Sequence, residues 1–98
     1  MIVITIENAS NKLRGELTKW ILEARPGTFV GNVNSMVKDK LWNKVCEDTS
    51  HKGALLIYST NNEQGFAMLM CGEPYRNVVD VNGIQLIRVK NSEIMPDT

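Results

Sequence analysis

The apolar positions fall into short β-branched runs and two stretches with helical spacing. Met1-Ile-Val-Ile-Thr-Ile predicts a central strand, with Ile2, Ile4 and Ile6 on one face and Val3, Thr5 and Glu7 on the other. Leu13, Leu17, Trp20, Ile21 and Ala24 recur at helical spacing, so a helix is expected from a Ser10 cap to a stop at Arg25-Pro26-Gly27. Thr28-Phe29-Val30 predicts a short strand closed by Gly31-Asn32. A second helix is expected from about Ser35 to Glu47, capped by Asn34 or Ser35 and facing Val37, Leu41, Trp42 and Val45 inward. Ala54 to Thr60 and Phe66 to Cys71 read as strands joined by a five-residue loop. Val78 to Val81 and Ile84 to Val89 flank Asn82-Gly83, a strong hairpin signal because a type I′ turn needs positive φ twice.

The resulting order, β–α–β–α–β–β with further C-terminal β-structure, predicts an α+β fold: a mostly antiparallel sheet with two helices on one face. Residues 1–90 are expected to form one domain and 91–98 a flexible polar tail containing Pro96. The C-terminal strands exceed what the sheet requires, so a strand pairing across a homodimer is expected, covering an otherwise open edge.

Composition narrows the class. With 43% apolar and 22% charged residues, the chain is that of an ordinary globular domain. Lys plus Arg and Asp plus Glu are 11 each, so nucleic-acid binding would have to come from a local patch rather than overall charge. Cys46 and Cys71 have no metal-ligand spacing and read as buried thiols of a reducing, cytoplasmic compartment. The apolar start is too short for a signal-peptide core or a membrane span, and no membrane partner is expected. His51 has no nucleophile context beside it, which argues against a catalytic triad.

Two features admit more than one reading. Glu7 is either the charge at which a strand ends or a carboxylate held for a metal. Gly15 should cost a helix about 1 kcal/mol relative to alanine. It is either a tolerated glycine on a face where Lys19 and Glu23 pair, or a bare patch near Lys12 and Lys19 that a phosphate can approach. Lys38, Lys40 and Lys44 read as a solvated helix face.

Ile4-Thr-Ile-Glu-Asn8, Leu13-Arg14-Gly15, Trp20-Ile-Leu-Glu23 and Gly27 to Val33 resemble the small CRISPR-associated adaptation protein of the I-E subtype, the partner of the CRISPR integrase. The resemblance continues through Lys40-Leu-Trp42, Thr60 to Phe66 and Val79 to Gly83, in collinear order. It implies a ferredoxin-like fold and a homodimer that sits between integrase dimers and carries double-stranded DNA. It implies integrase contact through the C-terminal strands. Lys12, Arg14 and Arg76 match basic positions of the family, with Gly15, Arg25 and Lys38 as further DNA-binding candidates. Members of the wider family are described as metal-dependent nucleases with an acidic residue ending the first strand. Glu7 holds that position, where aspartate is usual, and is the catalytic and metal candidate.

A hard cation such as Mg2+ takes one or two carboxylates with waters and phosphate, so Glu7 from both subunits would be needed. Three functions therefore compete. The first is a scaffold holding duplex DNA by its phosphates, the second a Mg2+-dependent endonuclease using Glu7, and the third a small-molecule-binding regulatory dimer on the same fold.

Overall fold

The computed structural model describes residues 1–73 and 76–89. The chain opens with β1 (Ile2–Glu7), in which Ile2, Ile4 and Ile6 are buried, Val3 and Thr5 half-buried, and Glu7 exposed. The helix α1 (Asn11–Leu17) starts where Ser10 accepts a hydrogen bond from the Leu13 N–H at 3.1 Å. It is much shorter than the spacing predicts. The Thr18 hydroxyl donates to the Arg14 carbonyl at 2.8 Å and its N–H to the same carbonyl at 2.9 Å, and the chain then turns.

Beyond that turn the chain forms a hairpin, β2 (Leu22–Arg25) and β3 (Thr28–Gly31), in place of the expected helical extension through Ala24. Pro26-Gly27 is therefore the hairpin turn and not a helix stop. Arg25 and Thr28 are cross-strand partners, Gly27 has φ 80°, and proline followed by a positive-φ glycine is the pattern of a type II turn. Of the predicted apolar stripe beyond Leu17, only Ile21 is buried. Trp20 is 58% exposed and Ala24 is exposed. Ile21 packs so closely on β3 that a Cβ at Gly31 would lie 2.6 Å from its Cγ2.

The second helix, α2 (Ser35–Glu47), matches expectation: Asn34 caps it through Val37 N–H at 2.9 Å, and Leu41, Trp42 and Val45 are buried. β4 (Gly53–Ser59) and β5 (Phe66–Cys71) complete one five-stranded sheet in the order β2-β3-β1-β4-β5, with every neighbour antiparallel. With α1 linking β1 to β2 and α2 linking β3 to β4, this is a ferredoxin-like arrangement extended by β5. Ile2, Ile4, Ile6, Phe29 and Leu56 form one core with Leu13, Leu17, Leu41, Trp42 and Val45 of the helices, so both helices cover the same face.

The last pair, β6 (Arg76–Val81) and β7 (Ile84–Val89), forms a separate two-stranded sheet. Its turn has Asn82 at φ 54° and Gly83 at φ 84°, as the Asn-Gly pair predicts, and Asp80 accepts the Gly83 N–H at 2.9 Å. Val81 and Leu86 are each 49% exposed. The expected domain end near residue 90, the tail 91–98 and Tyr75 lie outside the described residues.

Candidate nucleic-acid interface and the Glu7 cleft

The end of β1, the β2–β3 turn, the start of β4 and the start of β6 all meet at one end of the molecule. The Ile6 N–H donates to the Gly27 carbonyl at 2.7 Å, Glu7 is the ladder partner of Gly53, and the Lys52 N–H donates to the Glu7 carbonyl at 2.9 Å. A cleft of about 470 Å³ opens there, on the sheet face away from the helices. Glu7, Glu73 and Arg76 contribute its charges, with Leu55, Met70 and Ile87 in its walls.

Glu73 is a residue that sequence reasoning missed. Nothing in its local pattern marks it. It reaches the cleft because Gly53 has no side chain: a Cβ there would be 3.0 Å from Glu73 Oε2. The same oxygen is 4.0 Å from Arg76 Nη1. Glu7 and Glu73 thus line one cleft beside a guanidinium.

Among the described residues, no group of three or more His, Cys, Asp or Glu side chains converges as a metal site. With a cation already beside Glu73, the described donors around Glu7 do not by themselves compose a Mg2+ centre. His51 is also committed. Its Nδ1 accepts the Gly53 N–H at 3.1 Å, so the ring proton sits on Nε2, which donates to the Val45 carbonyl at 2.7 Å.

The basic candidates divide into two places. Lys12 is exposed at the start of α1. Arg14, half-buried on the same helix, lies beside Arg25 and Pro26 at the hairpin turn, where a small concavity forms. Its Nε is 3.3 Å from Glu23 Oε2 without hydrogen-bond alignment, and that oxygen also accepts the Gly27 N–H at 3.0 Å. Glu23 therefore pairs with Arg14 rather than with Lys19, because the helix that would have aligned Lys19 and Glu23 ends at Leu17.

Arg76 and Lys52, both exposed, stand at this same end, and Lys52 is a second residue the sequence pattern did not single out. Lys38 does not join them. It lies toward the start of β1, with Nζ 3.8 Å from the Tyr58 ring centroid and 3.5 Å from Asp39, and its side chain is 15% exposed. Desolvated against an aromatic face, its charge is already engaged. Gly15 is exposed, and a Cβ there would meet nothing within 4 Å, so alanine would fit the free protein.

The fold and site define a small ferredoxin-like α+β domain with cations and carboxylates gathered at one end. Residues 1–86 match the family model described as CRISPR-associated protein (Cas_Cas2CT1978), and the chain belongs to this Cas2 family. Its role is accordingly CRISPR-associated. No helix among the described residues is long and apolar enough to cross a membrane.

Proposed function

We propose that this protein is a subunit of the CRISPR spacer-acquisition complex, a homodimer that bridges integrase dimers and holds duplex DNA by its phosphate backbone. The observation that carries this reading is that Lys12, Arg14, Arg25, Lys52 and Arg76, from four separate segments, stand at one end of the chain, where Lys12, Arg25 and Lys52 are exposed, while Arg14 and Arg76 face Glu23 and Glu73 and Glu7 lies beside them. Phosphates would be held by the exposed cations and would compete with Glu23 and Glu73 for Arg14 and Arg76. Membership of a CRISPR-associated family supplies the context. The half-exposed apolar side chains of the β6–β7 hairpin support contact with a partner through the C-terminal strands.

Replacing Lys12 and Arg14 together by alanine tests the reading. Binding should weaken for all duplex sequences alike, and the slope of log affinity against log salt should flatten by about one to two units per chain. An unchanged salt slope would remove the start of α1 from the interface.

A second reading, a Mg2+-dependent endonuclease, has one observation in its favour: Glu7 is an exposed carboxylate at the mouth of a cleft. Because the described residues of one chain supply too few donors, that reading calls on Glu7 from two subunits.

A further inference from the structure

The joint between the main sheet and the β6–β7 hairpin is made by two glutamine side chains. In an antiparallel ladder, the N–H and C=O of one residue point to the same side, alternately toward the partner strand and away from it. The Met68 N–H donates to Gln85 Oε1 at 2.7 Å, and the Met68 carbonyl accepts from Gln85 Nε2 at 3.5 Å. Both Met68 groups therefore point away from β4, toward the outer edge of β5. The Gln85 amide offers one acceptor and one donor side by side, as a residue of a neighbouring strand would.

Gln64 repeats the device in the other direction. Its Nε2 donates to the Gln85 carbonyl at 2.9 Å, and its Oε1 accepts the Gln85 N–H at 3.0 Å. By the same alternation, these Gln85 groups point away from β6, at the outer edge of β7. Two strand edges thus stand near one another, in separate sheets, each capped by a side-chain amide instead of a ladder.

We propose that Gln64 and Gln85 form a latch that covers the open edges of β5 and β7 and holds the hairpin without committing either edge to a neighbouring strand. Opening it uncovers backbone donors and acceptors at Met68 and Gln85 while leaving the helix-covered core untouched. That core cluster contains no residue of the hairpin. The latch does not depend on the duplex-binding reading.

Residue-resolved hydrogen exchange on the full chain tests it. Gln85→Ala should speed exchange at the Met68 amide about ten-fold or more, Gln64→Ala should do so at the Gln85 amide, and the amides of Ile4 and Ile6 should not move. Gln85→Glu keeps the acceptor for the Met68 N–H and loses the donor, so Met68 should keep most of its protection. The Gln64→Ala/Gln85→Ala double variant should show increased concentration-dependent self-association in sedimentation velocity, because bare edges pair. Unchanged Met68 exchange in Gln85→Ala, or sedimentation of the double variant identical to the parent, would overturn the latch.

Discussion

The Glu7 carboxylate and the Cys71 thiol show how position decides what a side chain can do. Glu7→Gln keeps the shape and a carbonyl acceptor while removing the charge a hard cation requires. On the scaffold reading, spacer integration by the complete complex should survive this change. Loss of integration with normal dimerisation and DNA binding would sink a purely structural role, and loss of cleavage by the isolated protein in Mg2+ would establish the nuclease. Cys71, partly buried against the core, is a different case. Burial pushes its thiol from the usual 9.0 up to about 12, and the neighbouring Cys46 thiol adds to the rise. The folded protein thus holds this proton more tightly than the unfolded chain. The associated stability is fully present below pH 9.0 and is lost as pH rises toward about 12. Denaturant titrations across that range should show a decline that Cys71→Ala lacks; parallel curves would contradict it. Cys46 is exposed, in contrast to the burial expected for both thiols.

At the scale of elements, the β2–β3 hairpin sets the geometry of the candidate interface. It puts Arg25 beside Arg14, and it places Gly27 against β1 so tightly that a Cβ would stand 2.5 Å from the Ile6 carbonyl oxygen. Gly27→Ala meets both that collision and a positive φ, so it should destabilise the fold by about 3 kcal/mol. A loss in urea-denaturation stability below about 1 kcal/mol would show that the turn can relax. The sequence from Leu17 to Ala24 concealed this hairpin because its apolar residues satisfy a helical period. Thr18 ends α1 by bonding back to Arg14, and only the pairing of Leu22 with Val30 and Glu23 with Phe29 makes the next segment a strand. A four-residue edge strand has too little pattern of its own to outweigh that period.

For the whole molecule, the core of the described residues is built from the five-stranded sheet, its helices and Ile21 between α1 and β2. A chain truncated after Gly72 should therefore keep its secondary structure in circular dichroism, yet aggregate or self-associate through the uncovered sheet face and β5 edge. A truncated protein that sediments as a well-behaved dimer would rule out dimerisation through the C-terminal strands.

The strands β1, β4 and β5, the capped helix α2 and the Asn82-Gly83 turn were determined by sequence alone. Their signals are local: β-branched runs, a capping side chain within hydrogen-bond reach, and residues that tolerate positive φ. Sequence likewise offered Glu7, Lys12, Arg14 and Arg76 as charged candidates. Which of them share a surface was decided only by tertiary structure. Glu73 and Lys52 join Glu7 because β4 lies antiparallel to β1 and β5 to β4, which returns distant segments to one end of the sheet. Lys38 departs because β3 ends beside Ile2, so the first turn of α2 starts at the opposite end, against Tyr58. Ladder register and helix direction, which no local pattern encodes, set those distances.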